Sequence, residues 1–196
     1  MKVKYYIKNV EGLVIPKRAN ETDAGYDVIA TSPANVVGES WTDRGGKIYY
    51  KRIDYVEYQT NLYIAPDKPV EFDSTTGFAF SNFHTDLRPR SSISKYNLVL
   101  ANSVGLIDRG YKNQILVRFK YIWQPEDFRV MDSMWKPEAY RTTDSGMIGS
   151  PNSRKIYNCG DKICQLLPVL THDIEFQVME YLDGDDRGGG FGSTGN

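Results

Sequence analysis

The sequence predicts an all-β fold, a barrel or double-sheet jelly roll, on three observations. Apolar and polar residues alternate with a period of two in stretch after stretch. Turn-rich segments separate these stretches. No segment carries a sustained helical stripe with caps.

The predicted strands run along the chain in order. "VKYYIKNV" opens near the start, and "KIYYKRIDYVEYQTNLYI" covers 47 to 64. In "QILVRFKYIW" (114 to 123), Ile115, Val117, Phe119 and Tyr121 fall on one face while Arg118 and Lys120 fall on the other. "IEFQVMEYL" (174 to 182) repeats the alternation. Between them, "TSPANVVGES", "PDKPVEFDSTTG" and "RTTDSGMIGSPNS" are expected to be turns and loops. Five of the 14 tyrosines, Tyr49, Tyr50, Tyr55, Tyr58 and Tyr63, crowd one strand-rich region, which suits either half-buried β packing or a partner surface.

A chain of 196 residues with 40% apolar content can bury one proper core, and a single domain is expected over 1–182. A net charge of -1 and a pI near 6.1 give no whole-chain attraction to nucleic acid or anionic lipid. No direct nucleic-acid or membrane partner is therefore expected. No apolar run approaches the ~20 residues that span a bilayer, and "MKVKYYIKNVEG" lacks the apolar core of a secretory signal. The expected location is cytoplasmic, the host's cytoplasm if the source is a virus. Cys159 and Cys164 match no zinc or redox spacing, so two free thiols are expected. His84 and His172 lie far apart with no acidic or cysteine cluster, which argues against a protein-built metal site.

Several stretches carry residues suited to phosphate chemistry, though each has a plainer reading. In "LRPRSSISKYNLVLAN", Arg90, Ser91 and Ser92 offer a planar cation, two hydroxyls and exposed N–H groups, yet a polar turn looks the same. "NSVGLIDRGYKNQILV" reads as a hairpin whose turn could aim Asp108 as a base and Tyr111 as a flat wall into a pocket. "DAGYDVIA" sets Asp27 before a short apolar strand, where turn acids are common. In "GDKICQLLPVL", Gln165 is the one amide among apolar neighbours, either satisfied in the core or facing a ligand. The terminal "RGGGFGSTGN" is either a loose end or an arm that orders over a ligand. In the second case Phe191 stacks on a base, while Arg187, Ser193 and Thr194 meet phosphate and glycines such as Gly192 allow close backbone approach.

Together and in this order, "AGYD", "PRSS", "NSVGLIDRGY", "GDKICQL" and "RGGGFGSTG" resemble the five motifs of the trimeric dUTPase family. The motif-bearing stretches cover about a third of the chain, the third and fifth being the most specific. The resemblance implies a jelly-roll-like (β-clip) subunit, a homotrimer with sites built from three chains, and Mg²⁺-dependent hydrolysis of dUTP to dUMP and pyrophosphate. It also implies roles. Asp108 would activate water, Tyr111 would pack under the deoxyribose, and Asn102 with the backbone at Gly105 and Ile107 would read uracil. Arg90, Ser91, Ser92 and Gln165 would contact phosphates or the attacking water, and Asp27 would hold Mg²⁺ through water. Phe191 would cap the base, with Arg187, Gly192, Ser193 and Thr194 clamping the terminal phosphate from a flexible arm at 183–196.

The sequence departs from that pattern in its second motif, its arm and the spacing between motifs. Ser92 stands where the second motif has Gly, and the arm is one residue short between Arg187 and Phe191. Insertions fall at about 38–56, 67–85 and 121–157, carrying Trp41 and, in the last, Trp123 and Trp135. These insertions suggest an alternative, a regulatory module of the same fold that grips a protein partner. A deaminase of dCTP, which shares the fold and an "RSS" motif, would need a Glu base where this chain has Arg118, and a guanidinium cannot take that proton. A purely structural or capsid role would need neither "GLIDRGY" nor the glycine-rich arm.

Overall fold

The computed structural model describes residues 3–67, 82–130, 147–171 and 174–180. Its strands are β1 (Tyr5–Ile7), β2 (Tyr26–Ile29), β3 (Asn35–Thr42), β4 (Ile48–Gln59), β5 (Ile64–Pro66), β6 (Asn82–Pro89), β7 (Leu98–Leu100), β8 (Gly105–Ile107), β9 (Leu116–Tyr121), β10 (Phe128–Val130), β11 (Met147–Gly149) and β12 (Lys162–Thr171). Short 3₁₀ turns are the only helical elements among the described residues, the first at Ser91–Lys95.

The strands form a six-stranded sheet in the order β10-β11-β4-β9-β7 with β3 also on β4, a four-stranded sheet β2-β12-β6-β8, and a two-stranded β1-β5 ladder. All the pairings are antiparallel. This is the jelly-roll-like β architecture expected from the alternation.

The period of β9 explains how the core is built. Ile115, Val117, Phe119 and Tyr121 are buried, while Arg118 and Lys120 face out. Val56 and Tyr58 of β4 join them, and Val28, Leu87, Ile163, Cys164 and Leu166 of the four-stranded sheet complete one cluster. Tyr58 is fully enclosed. Its ring stands edge-on to Phe119 and Tyr157, and its hydroxyl donates to the Tyr157 carbonyl at 3.1 Å. Burial pushes the Tyr58 phenol far above its ordinary pKa, so it remains a neutral donor.

Three expectations about loops and turns are corrected. "TSPANVVGES" is not a loop, because Asn35–Thr42 pairs along β4, with bulges at Val37/Gly38 and Glu39/Ser40 that absorb its irregular composition. A Cβ at Gly38 would run into the Arg52 carbonyl, so this close approach requires Gly. The middle of "RTTDSGMIGSPNS" likewise supplies β11, which pairs with β10 and touches β4 through Gly149 opposite Tyr50. Finally, "NSVGLIDRGYKNQILV" is not a hairpin: β8 pairs with β6 and β9 pairs with β4 and β7, so the chain crosses between the sheets.

The segment 174–180 forms no strand despite its alternation. A strand needs a ladder partner, and none among the described residues reaches it. Its apolar side chains stand in solvent, with Phe176 88% and Val178 98% exposed.

Candidate functional site

Two clusters of the residues singled out in the sequence form on opposite faces of the four-stranded sheet. The register sets Gln165 opposite Asp27 on one side and Arg88 on the other, so these three share a face. Leu87 and Gly105 are paired with each other on the alternate, inward face.

The first cluster is cationic and centres on Asp27, which is 5% exposed. Its Oδ1 accepts from Gln165 Nε2 at 3.2 Å and pairs with Arg90 Nε 3.1 Å away, and its Oδ2 lies 2.8 Å from Lys162 Nζ. Burial works to raise the Asp27 pKa, but Lys162, Gln165 and Arg90 outweigh it and hold the carboxyl below its ordinary value. Next along the sheet, buried Asp86 takes Arg88 at 2.7 Å and His84 at 3.1 Å. Three cations thus converge on two carboxylates, with Arg88 and Lys162 half exposed and available to an anion.

Arg90 is fixed by the turn that follows it. It is the N-cap of the Ser91–Lys95 3₁₀ turn, its carbonyl accepting from Ile93 N at 3.0 Å. The Ser91 hydroxyl stays exposed, and the Ser91 carbonyl accepts from Ser94 Oγ at 3.0 Å.

The second cluster surrounds a cavity of about 350 Å³ at the sheet edge, of the size of small-ligand sites. Leu87, Leu100, Ile115 and Val117 make its floor, Asn102, Gly105 and Ile107 a wall, and Asp108 and Tyr111 its rim. The loop into β8 is sharply bent: Ser103 sits at φ 59°, and Ser103 N donates to the Leu100 carbonyl at 3.1 Å. A Cβ on Gly105 would stand 3.1 Å from Leu87 Cβ and 3.4 Å from Asn102 Nδ2, so Gly keeps the wall close to the floor. Asp108 and Tyr111 close a β-turn, Tyr111 N donating to the Asp108 carbonyl at 3.0 Å, and the Tyr111 hydroxyl donates to Gln114 O at 2.9 Å. That bond fixes the ring at the rim while Asp108 stays exposed.

Asp108, Tyr111, Asn102, Gly105 and Ile107 are therefore brought together, as are Asp27, Arg90 and Gln165. The two groups do not meet within one chain. Arg187, Phe191, Gly192, Ser193 and Thr194 lie outside the described residues, as do Trp135 and most of 67–85.

Arg88 and Lys162 escaped the sequence reading. Lys162 opens β12 in the same "GDKICQLLPVL" stretch as Gln165, and the register shift between Lys162 and Cys164 lets both reach Asp27. Arg88 follows the alternation His84, Asp86, Arg88 along β6.

Among the described residues, no three His, Cys, Asp or Glu side chains converge as cation ligands. Both Asp27 oxygens already accept from cations or an amide. This donor set suits a divalent ion that arrives on phosphate oxygens with its own waters, Asp27 offering a remaining lone pair through water. Arg118 is tied to Glu57 at 2.7 Å and lies 4.3 Å from the Tyr55 ring centroid. This position thus carries a fixed cation, which cannot serve as a deaminating base.

Two insertions are built into the sheet. Trp41 stacks on Tyr49 along the β3–β4 hairpin at 5.7 Å, with Lys47 over the Tyr49 ring. Trp123 stacks on Phe128 at 5.0 Å, edge-on to Tyr121, and covers Gly149. No described helix is long and apolar enough to cross a membrane.

No protein-family model matches the chain. A Shewanella baltica protein named deoxyuridine 5'-triphosphate nucleotidohydrolase is 30% identical over 142 residues, 69% of this chain and 74% of the relative. A Finegoldia magna protein of the same name is 30% identical over 115 residues, 58% of this chain and 61% of the relative. The chain spans 50% of the Desulfitobacterium hafniense relative of that name, at 32% identity over 103 residues. It thus covers less than two thirds of the latter two proteins. Among solved structures, a Staphylococcus bacteriophage 80alpha dUTPase mutant with dUpNHpp superposes with a TM-score of 0.58 at 20% identity, covering 98% of each chain. A mutant dUTPase from phage phi11 of S. aureus, described for its coordination of a structural Mg(II) ion, gives 0.54 at 20% identity over 92% of this chain and 99% of its own. At these identities the superpositions establish the fold.

Proposed function

The chain belongs to the dUTPase (deoxyuridine 5'-triphosphate nucleotidohydrolase) family, and from that membership we propose that it hydrolyses dUTP to dUMP and pyrophosphate. The observation that carries the reading is the 350 Å³ cavity with Asp108 and Tyr111 at its rim. Asn102 and the backbone at Gly105 and Ile107 meet the uracil edge, and the tight wall leaves no room for a 5-methyl group. The Tyr111 ring packs on the deoxyribose and crowds out a 2'-hydroxyl.

Asp108 accepts a proton from a water held against the α-phosphorus. The water oxygen forms the new P–O bond, the bond to the bridging oxygen breaks, and the electron pair leaves with pyrophosphate. Arg88, Arg90, Lys162, Ser91 and Gln165 hold the phosphates and the water in line, so that most of the barrier is met by positioning and charge neutralisation. Ser92 belongs to the same turn. Asp27 would hold a Mg²⁺ ion through water, and that ion would supply further neutralisation of the phosphate oxygens. Phe191 stacks on the base from the arm, and Arg187, Gly192, Ser193 and Thr194 close on the terminal phosphate.

We further propose a homotrimer. The cavity and the cationic cluster do not meet within one chain, and in this reading a second copy brings its cluster to the cavity. The exposed alternating segment 174–180 supplies an apolar face for such an assembly.

Pyrophosphate release from dUTP, dCTP, dTTP and UTP in parallel tests the reading. Turnover of dUTP alone is expected, and equal turnover of dCTP or dTTP would overturn the assignment of the cavity. A protein partner at the insertions is a second reading, favoured by the Trp41–Tyr49 pair with the neighbouring Ile48 46% exposed. Trp41→Ala would then weaken partner binding and leave dUTP turnover unchanged.

A further inference from the structure

Tyr157 has no part in the chemistry above, yet it sits behind the Arg90–Ser91–Ser92 turn. Its ring is 4.2 Å from that of Tyr96, which caps the 3₁₀ turn, and 5.6 Å from Phe119. Its carbonyl accepts from Tyr58 Oη. The two segments are also joined by backbone, Asn97 N donating to the Lys155 carbonyl at 2.9 Å. Tyr157 is 2% exposed, so this ring is a fixed wall against which the turn rests.

The hydroxyl of that ring is out of keeping with its setting. It is enclosed and makes no well-formed hydrogen bond, although buried hydroxyls are almost always paired. Burial pushes its pKa up to about 12, against which the Ser92 side chain, close enough to approach hydrogen-bond contact, acts to lower it, and the Arg90 charge does so more weakly. A neutral O–H donor therefore lies next to Ser92 without a completed bond to it. An unmet donor of this kind is a small store of free energy that a shift of the neighbouring turn would release.

We propose that Tyr157 is a positioning residue for the phosphate-binding turn, its hydroxyl completing a hydrogen bond to Ser92 Oγ when a triphosphate draws Arg90 and Ser91 forward. Ser92 is the residue through which Tyr157 acts, and a glycine there could not accept this bond. Tyr157 itself touches no reacting atom. The inference rests on the proposed hydrolysis of dUTP.

The test compares wild type, Tyr157→Phe, Ser92→Ala and the double variant for kcat, KM for dUTP and Tm. Each single variant is expected to raise KM about 2- to 10-fold, the worth of one hydrogen bond, with kcat retained. The double variant should be no worse than either single one, because both remove the same bond. Tyr157→Phe should keep or raise Tm, since it deletes an unpaired buried hydroxyl rather than a contact. A merely structural Tyr157 would instead lower Tm and leave KM unmoved, and that result overturns the inference, as do additive KM effects. If wild type turns over dUTP while both single variants keep its KM, this inference alone fails. A wild type without dUTP turnover overturns the functional reading and this inference with it.

Discussion

Gln165 donates to Asp27 across the β2–β12 pair at 3.2 Å, joining residues 138 positions apart in the chain. This bond, with the ion pairs from Arg90 and Lys162, makes Asp27 the point where three of the motif-bearing segments are tied together.

Asp27→Asn should therefore be felt first as a loss of stability. It leaves two cations facing a neutral amide, and because Arg90 and Lys162 retain contact with water the expected cost is about 2–3 kcal/mol. The wild-type contribution depends on pH in a definite direction. Folding lowers the Asp27 pKa, so its stabilisation is complete above the ordinary aspartate value and is lost as the pH falls below that value and through the lowered one. Urea unfolding at neutral and acid pH should show Asp27→Asn weaker at neutrality and less sensitive to acid than wild type.

Tyr111 is held by its bond to Gln114 O, but its proposed discrimination resides in the ring. Tyr111→Phe should keep the preference for dUTP over UTP. Tyr111→Ala should reduce that preference about 10-fold or more, read as the ratio of kcat/KM for the two nucleotides. An unchanged ratio in Tyr111→Ala would remove the ring from the sugar subsite.

Gly149 lies in β11 under the Trp123 ring, away from the residues lining the cavity. A Cβ there would overlap the Trp123 ring, which is stacked against Phe128, so Gly149→Ala should cost about 1–3 kcal/mol by overpacking. Turnover of dUTP by the folded variant should be unchanged. A large loss of kcat would show that the β10–β11 insertion supports the active site.

Ending the chain at Leu182 should leave the subunit folded and the trimer intact while cutting dUTP turnover about 100-fold or more, the order expected when a closing segment that completes a site is lost. Size measurement together with kinetics checks it, and dissociation of the trimer would assign the tail a structural role instead.

The legible parts of this fold are those where one face is buried. In β9, Val117, Phe119 and Arg118 declare inside and outside by alternation alone, and the structure obeys it. β3 was illegible because its Asn, Gly and Ser residues, and the Pro just before it, read as a turn, while the strand is imposed by its long partner β4 and tolerated through bulges. Of the candidate site, the Asp108–Tyr111 turn and the Arg90–Ser91 turn stood out because their chemistry is local. Arg88 and Lys162 did not, because their importance arises from Asp86 and Asp27 on the same and a neighbouring strand. The alternation in 174–180 marks a two-faced segment, but its partner is not among the described residues of the chain.

Asp108 is proposed to activate the water that attacks dUTP. Pyrophosphate release from dUTP with Mg²⁺ by wild type and Asp108→Asn, with nucleotide binding measured alongside, tests it most directly. Turnover by wild type, a loss of about 100-fold or more in the variant, and near-normal nucleotide binding by both are expected, since removing a general base leaves the pocket intact. Near-normal turnover by Asp108→Asn would contradict it.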